Sequence, residues 1–262
     1  MNILFTSFSL YVLIALKRGK MNRVLITGSS KGIGARIAEV LANNGYNVFL
    51  HGRDKAALEN LSEKINAKGF FAVDLTSENA AQKLYNAAVN ALGGIDILIN
   101  NAGEYFYGKV EETSANTVNR ILTLNTKIPY ELISLSVRGM KERNFGRIIN
   151  IGSISGAVGE ANASLYSLTK SAFSGLTKAL ALELAQNNIT VNTINPGYVK
   201  TALLDNSFDD DFSEKELLDM IPQGRFIEPV EVANLVKYLV SSEAKGLTGQ
   251  CINLCAGMSV GG

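Results

Sequence analysis

The feature of this 262-residue chain that most constrains its fold is an alternation of short apolar runs with longer amphipathic segments. The apolar runs are rich in Val, Ile and Leu, which is typical of parallel strands that are buried on both faces. Strands are predicted at Arg23–Thr27, Asn47–His51, Phe70–Val73, Ile95–Asn100, Arg147–Ile151, Thr190–Ile194 and Cys251–Leu254. Helices are predicted between them, at Ala35–Asn43, Lys55–Ala67, Asn79–Leu92, Thr117–Arg143, Ser164–Asn187 and Val230–Val240. The pattern predicts one α/β domain with a doubly wound parallel sheet of about seven strands and helices on both faces.

The composition argues against several classes of function. The 25 basic residues nearly balance the 24 acidic ones, so we expect no electrostatic surface for nucleic acid. His51 is the single histidine, and the two cysteines, Cys251 and Cys255, lie near the C-terminus. These residues are too few for a zinc site or a disulfide framework, so we predict no metal and a reducing, cytoplasmic location.

Two segments fall outside the regular pattern. Residues 1–20 form a hydrophobic extension whose apolar part, of about 15 residues, is shorter than the ~20 that a membrane-spanning helix needs. Three interpretations remain open: an upstream start with Met21 as the true first residue, a short membrane anchor, or an arm that packs on a partner subunit. The predicted domain covers residues 21–262. Within it, the irregular, acidic stretch 203–221 is predicted to be a substrate lid.

The first strand leads directly into a glycine-rich turn, TGSSKGIG, and then into a helix. Glycines let phosphates approach the backbone, and the helix N-terminus offers free N–H groups, which is the design of a Rossmann-type dinucleotide site. The second strand ends in His51-Gly52-Arg53, without the acidic residue that favours NAD. Arg53 and Lys31 could instead pair with a 2′-phosphate, which predicts NADP(H), although both could also be ordinary surface cations. The cofactor residues predicted in this half are Thr27, Gly28, Ser30, Lys31, Gly32, Ile33, Gly34, Arg53, Asp74, Leu75, Asn101, Ala102 and Gly103.

A tyrosine and a lysine four residues apart occur twice. Tyr105 and Lys109 lie in a predicted loop, whereas Tyr166 and Lys170 lie on a predicted helix and therefore share one of its faces. A free tyrosine has a pKa of about 10, and a fixed ammonium group beside it is expected to lower that value towards a useful acid–base range. Ser153 follows the fifth strand, where its hydroxyl could hold a substrate oxygen.

Together these motifs resemble the short-chain dehydrogenase/reductase family. The residues that carry the resemblance are TGSSKGIG at Thr27–Gly34, Asp74, NNAG at Asn100–Gly103, Asn125, Ser153, YSLTK at Tyr166–Lys170 and PGYVKT at Pro196–Thr201. The resemblance implies that Tyr166 donates the proton, that Lys170 lowers its pKa and binds the nicotinamide ribose, and that Ser153 positions the carbonyl. It also implies that Asn125 holds a water relay to Lys170. From the residues alone, Asn125 could instead be only a helix kink partner, and Ser153 only a turn residue. The residues implied to border the nicotinamide are Pro196, Gly197, Val199 and Thr201.

The second half of the chain is similar to bacterial 3-oxoacyl-acyl-carrier-protein reductases. That similarity implies NADPH-dependent reduction of a 3-oxoacyl thioester, acyl-carrier protein as a partner, and a homo-oligomer, either a tetramer or a dimer. However, Asn144 and Asn187 occupy positions where those reductases carry arginines for the carrier, and the tail Asn253–Gly257 also differs. The alternatives are reduction of another carbonyl (a sugar, a polyol or a biosynthetic intermediate) and a non-catalytic NADP-binding sensor.

Overall fold

The computed structural model describes residues 22–201 and 214–260. The predicted extension 1–20 and positions 203–213 of the predicted lid therefore lie outside the described residues. Residues 214–221 of the predicted lid are described, and they contain a short helix.

The strands form one seven-stranded sheet, and every neighbouring pair is parallel. They are β1 (Arg23–Ile26), β2 (Asn47–Gly52), β3 (Gly69–Ala72), β4 (Ile97–Asn100), β5 (Gly146–Ile151), β6 (Ile189–Pro196) and β7 (Cys251–Leu254). Their spatial order, β3-β2-β1-β4-β5-β6-β7, confirms the predicted doubly wound sheet. The order reverses between β1 and β4, so a crevice opens at the carboxyl ends of these strands, where ligands bind in this kind of sheet.

Nine α-helices accompany the sheet within the described residues. They are α1 (Gly32–Asn43), α2 (Lys55–Ile65), α3 (Ala80–Leu92), α4 (Ala115–Leu122), α5 (Ile128–Arg143), α6 (Ser155–Val158), α7 (Ser164–Leu184), α8 (Glu214–Asp219) and α9 (Pro229–Val240). Side chains of α1, α2 and α9 belong to the hydrophobic core on one face, and those of α3, α5 and α7 to the core on the other. Within β1, Leu25 packs in one core while Val24 and Ile26 pack in the other. Because each face of the sheet is covered by a hydrophobic core, residues on both sides of a strand are buried, and the strands are continuous apolar runs in the sequence. No helix among the described residues combines the length and the apolar character that a membrane span requires.

The segment predicted as one helix, Thr117–Arg143, is interrupted. α4 ends at Leu122, a π-helical turn covers Thr123–Lys127, and α5 begins at Ile128. Pro129 lies in the first turn of α5 and has no N–H, so the carbonyl of Asn125 lacks the donor that a continuous α-helix would supply. The interruption therefore falls at a predicted catalytic residue, and Pro129 is the sequence signal that could have located it.

A buried carboxylate joins elements at the amino ends of the strands. Asp96, just before β4, is fully buried and accepts a hydrogen bond from Arg23 Nη2 at 2.6 Å and one from Arg143 Nε at 3.0 Å. Because Arg23 begins β1 and Arg143 ends α5, this cluster fixes a strand and a helix to the base of β4.

Candidate active site

The glycine-rich turn after β1 is packed closely against the loop after β4. Gly28 has a φ of +64°, and a Cβ added there would lie 2.8 Å from the Ala102 Cα. A Cβ on Gly34 would lie 2.3 Å from the Gly28 carbonyl oxygen, closer than any side chain could fit. Both glycines are therefore required by the fold of the turn itself.

Two predicted cofactor residues use their side chains to join these loops. Thr27 Oγ1 accepts hydrogen bonds from the backbone N–H groups of Asn101 at 3.0 Å and Ala102 at 2.9 Å. Asn101 Nδ2 donates to the carbonyls of Thr27 at 2.9 Å and Gly28 at 2.8 Å. Leu75 is likewise occupied, because its side chain is buried in the core. The side-chain atoms of Thr27 and Leu75 and the amide nitrogen of Asn101 are therefore occupied within the protein.

His51 links three strand ends, a role that the sequence did not indicate. Its Nδ1 accepts the N–H of Gly28 at 3.2 Å, and its Nε2 lies 3.1 Å from the carbonyl oxygen of Val73. A neutral ring with its proton on Nε2 satisfies both contacts. Burial lowers the pKa of His51 to about 4, because an imidazolium ion there would lose its hydration.

This geometry predicts a pH-dependent stability. The unfolded chain takes up a proton on His51 near pH 6.5, but the folded chain does so only near pH 4. The stability that neutral His51 contributes is therefore complete above about pH 6.5 and is lost as the pH falls towards 4, by about 3 kcal/mol in total. Urea unfolding of the wild type and of His51→Gln, which has no titrating ring, should show the wild type losing this much more stability between pH 7 and about pH 4. Parallel losses in both proteins would contradict the assignment.

The residues for a nucleotide phosphate lie around the start of α1. Lys31 is exposed at the N-cap position of α1, its side chain makes no cap hydrogen bond, and no acidic residue lies in the first turn. The first N–H groups of this helix are thus available to an anion. Arg53 is 68% exposed and lies 3.8 Å from Asp74 Oδ2, while Asp74 Oδ1 accepts from Thr76 at 2.8 and 2.7 Å. The structure thus brings the predicted residues Arg53 and Asp74 together at one edge of the crevice.

Helix α7 carries the predicted acid–base pair. Lys170 is buried, its Nζ donates to the carbonyl of Ile151 at 2.9 Å, and it lies 5.6 Å from the centre of the Tyr166 ring. Burial lowers the pKa of Lys170 to about 8. That Lys170 lowers the pKa of Tyr166 stays a prediction, and in this structure burial acts in the opposite direction. Burial raises the pKa of Tyr166 to about 12, because desolvation of the phenolate outweighs a stabilising hydrogen bond with Ser153.

Ser153 lies beside the tyrosine, as predicted. It follows β5, and the pKa of Tyr166 is reduced in part by a hydrogen bond between the Tyr166 and Ser153 side chains. Ser153 Oγ also donates to Ser155 Oγ at 3.2 Å and accepts from the backbone N–H of Ser155 at the same distance. Its hydroxyl is therefore held in one place near Tyr166.

Asn125 also lies near Lys170 and Tyr166, but its side chain makes hydrogen bonds within the protein. Its Oδ1 accepts from the N–H of Glu104 at 2.9 Å, and its Nδ2 donates to the Glu104 carbonyl at 2.9 Å and to Thr169 Oγ1 at 3.1 Å. An added Cβ on Gly103 would lie 3.3 Å from Lys170 Nζ and 3.4 Å from Asn125 Oδ1, so these groups converge. The side chain of Asn125 thus positions the loop after β4, and its backbone carbonyl, which lacks the N–H of Pro129, is available to the predicted water relay.

The predicted nicotinamide residues follow β6. Gly197 donates its N–H to Leu254 at 2.9 Å, and an added Cβ there would lie 3.0 Å from the Cys255 Cα. Val199 is buried and bridges to Ile227. Thr201 Cγ2 lies 3.6 Å from the position of a Cβ on Gly32. The segment that begins at Pro196, the last residue of β6, thus returns to the start of α1.

Two loop residues complete the site: Tyr105, which the sequence offered only as part of the second tyrosine–lysine pair, and Glu160, which it did not single out. Glu160 accepts hydrogen bonds from the hydroxyls of Tyr105 and Ser155, each at 2.6 Å. Tyr105 packs edge-on against Tyr166, with ring centres 4.9 Å apart. Tyr105 and Glu160 are 55 positions apart in the sequence, and no spacing rule could have paired them.

Comparison with known proteins identifies the family. A family model described as enoyl-(acyl carrier protein) reductase matches residues 28–259. The 3-oxoacyl-[acyl-carrier-protein] reductase FabG of Aquifex aeolicus is 36% identical over 249 residues, which cover 92% of this chain and 98% of that protein. The chain belongs to the short-chain dehydrogenase/reductase family. This family consists of NAD(P)(H)-dependent oxidoreductases, so the resemblance stated from the motifs is confirmed.

Two solved structures of the short-chain dehydrogenase/reductase family match this fold closely. A variant of actinorhodin polyketide ketoreductase with NADPH has a TM-score of 0.86 and 32% identity, and the match covers 90% of this chain and 97% of that one. A 3-ketoacyl-(acyl-carrier-protein) reductase from Brucella melitensis, complexed with NADH, has a TM-score of 0.83 and 29% identity, with 90% and 98% covered. The two neighbours carry different cofactors and are named for different substrates.

Proposed function

We propose that this chain is an NADPH-dependent carbonyl reductase whose favoured substrate is a 3-oxoacyl thioester. The observation that carries the proposal is the convergence of Tyr166, Lys170 and Ser153 beside the crevice that the glycine-rich turn borders. A non-catalytic sensor would need only the nucleotide half of this site. The relatives named as ketoacyl reductases support the choice of substrate.

The residues present fit a bound dinucleotide. Gly28 and Gly34 keep the turn after β1 free of side chains, and the first turn of α1 has no acidic residue to compete with a phosphate. Bound NADPH would supply a hydride to the carbonyl carbon. The Ser153 hydroxyl would hold the carbonyl oxygen, and Tyr166 would give its proton to the alkoxide that forms. With its pKa raised by burial, Tyr166 carries its proton at neutral pH, as a proton donor in reduction must.

Arg53 is the proposed partner of the 2′-phosphate, with Lys31 as a second cation. Arg53→Ala should therefore weaken NADPH binding but leave NADH binding nearly unchanged. A hydrogen bond to a charged group contributes about 1.5–3 kcal/mol to binding. Because Arg53 is exposed, we expect the lower limit, which is a loss of roughly tenfold in NADPH affinity. Fluorescence titration of both cofactors would measure this, with Lys55→Ala as a matched surface control. Equal losses with both cofactors would exclude the role, and a larger selective loss in Lys31→Ala would move the main contact to the glycine-rich turn.

The carrier protein is proposed to contribute little to recognition. Asn144 caps α5, and two nearby cations are engaged: Arg143 with Asp96, and Arg147, which is buried and donates to the carbonyls of Gly146 and Asn188. Of the three cations near Asn144, which are Lys141, Arg143 and Arg147, Lys141 alone is exposed. An acidic carrier would therefore gain little electrostatic attraction at this place.

The corresponding prediction compares free and carrier-bound substrates. We expect S-acetoacetyl-N-acetylcysteamine and acetoacetyl-acyl-carrier protein to have kcat/KM values within about tenfold of each other at low salt. Electrostatic steering raises association rates by about 10-fold or more and is lost in salt. A large preference for the carrier-bound form that collapses at high salt would reveal a docking patch elsewhere.

A second candidate substrate class is a polyketide ketone, which the likeness to actinorhodin polyketide ketoreductase supports. Good turnover of a polyketide ketone with none of the simple thioester would favour it. We also propose that the protein is a homo-oligomer, because the apolar residues Leu168 and Leu182 on α7 are exposed. We further propose a reducing, cytoplasmic location, which the two free cysteines support.

A further inference from the structure

The carboxylate of Glu160 lies near Tyr166, and no basic residue among those that the structure describes pairs with it. None of the ion pairs among the described residues includes it. Its two oxygens instead accept the hydroxyl protons of Tyr105 and Ser155, both at 2.6 Å. Charge-assisted hydrogen bonds of this length are among the stronger ones in proteins, so the carboxylate is held in one place.

Glu160 reaches Tyr166 by two routes. Through Ser155 it connects to Ser153 Oγ at 3.2 Å, and Ser153 lies close enough to Tyr166 to lower its pKa. Through Tyr105 it fixes an aromatic ring whose plane meets that of Tyr166 at 77°. The same two loops are joined again at their outer ends, where Gly108 donates its N–H to the carbonyl of Asn162 at 2.6 Å.

We propose that Glu160 is a positioning residue for the proton donor. It holds the Tyr105 ring against Tyr166, orients the hydroxyls of Ser155 and Ser153, and places a fixed negative charge beside the reacting oxygen. This inference rests on the proposed function, because it assigns a task in proton transfer. It concerns residues outside the motifs that define the predicted catalytic set.

The charge of Glu160 acts on the three tyrosines around it. Lys170 lies beside Tyr166 on α7. Tyr105 packs against Tyr166 from the loop after β4, and Tyr198 lies in the loop after β6. The carboxylate raises the pKa values of Tyr105, Tyr166 and Tyr198, in addition to the effect of their burial. Tyr166 consequently keeps its proton to a higher pH, which extends the range over which it can serve as an acid.

The first test measures the charge without requiring turnover. Ionisation of Tyr166 is followed as the ultraviolet difference between each protein and the same protein carrying Tyr166→Phe. Glu160→Gln keeps the size of the side chain but removes the charge, so the onset of Tyr166 ionisation should move to lower pH by roughly half a unit to one unit. Glu160→Asp keeps the charge and should restore an onset close to that of the wild type. An unchanged onset in Glu160→Gln would overturn the proposal.

The second test measures the positioning. Tyr105→Phe keeps the ring and the Glu160 charge but loses the hydrogen bond between them. It should lower kcat for reduction of S-acetoacetyl-N-acetylcysteamine by about tenfold, the effect of losing about 1.4 kcal/mol of alignment, while the Kd for NADPH stays the same. Tyr107→Phe, which alters an exposed tyrosine of the same loop, is the control and should match the wild type. A wild-type kcat in Tyr105→Phe would overturn the positioning role. A wild type that reduces no ketone would contradict the proposed function instead, and the ionisation test would then decide this inference.

Discussion

Tyr166→Phe is expected to lower kcat for ketone reduction by at least about 100-fold while leaving NADPH binding intact. The substitution removes the hydroxyl that would protonate the alkoxide, and positioned acid–base groups contribute about 10²–10⁴-fold to turnover. The ring itself remains, so its edge contact with Tyr105 and the packing of α7 should persist. Steady-state rates with NADPH, together with a direct measurement of the Kd for NADPH, would check both parts of the expectation.

The control for this experiment is Tyr107→Phe, because that hydroxyl is at the surface and only accepts a hydrogen bond from Asn162. If Tyr166→Phe retained a kcat near that of the wild type, the acid–base assignment would be wrong. Tyr105 would then be the next candidate, since its hydroxyl lies on the same side of the crevice and is bound to Glu160.

Asp96→Asn is expected to lower the free energy of unfolding by about 3 kcal/mol. The carboxylate is fully buried and receives hydrogen bonds from Arg23 and Arg143, whose side chains are 21% and 25% exposed. Removal of one partner from a buried ion pair costs about 3–5 kcal/mol, and the partial exposure of the two arginines places the effect at the lower limit. Urea unfolding followed by circular dichroism would measure the change.

The matched control for Asp96→Asn is Glu231→Gln, which breaks a surface ion pair with Arg225 at 2.7 Å. Exposed pairs contribute about 1 kcal/mol or less, so the control should unfold almost like the wild type. Equal effects of the two substitutions would show that the Asp96 cluster does not hold β1 and α5 to the base of β4.

The sequence predicts the sheet well because the information is local. Each strand is a short apolar run bounded by turn residues, and the structure moves its limits by only a few positions, as where Ile95–Asn100 becomes Ile97–Asn100. The glycine-rich turn and the helical pair Tyr166 and Lys170 are also local motifs, and the structure places both at the predicted crevice.

The features that the sequence did not reveal depend on burial or on distant contacts. Whether Lys170 lowers the pKa of Tyr166 depends on how deeply both are buried, and here desolvation dominates. The neutral His51 is explained by its contacts with Gly28 and Val73, which meet only when three strands are assembled. The pairing of Glu160 with Tyr105 joins loops that follow different strands. Such contacts follow from the packed tertiary structure and have no signature in a single sequence.

The central claim is that this chain transfers a hydride from NADPH to a ketone with Tyr166 as the proton donor. The most direct measurement uses NADPH that carries deuterium in the transferable position of its nicotinamide ring, with S-acetoacetyl-N-acetylcysteamine and a panel of cyclic and sugar ketones. Mass spectrometry of the products would locate the label. We predict deuterium on the new carbinol carbon of at least one product with the wild type, and almost none with Tyr166→Phe. Tight NADPH binding without deuterium in any product, or equal labelling by both proteins, would contradict the claim.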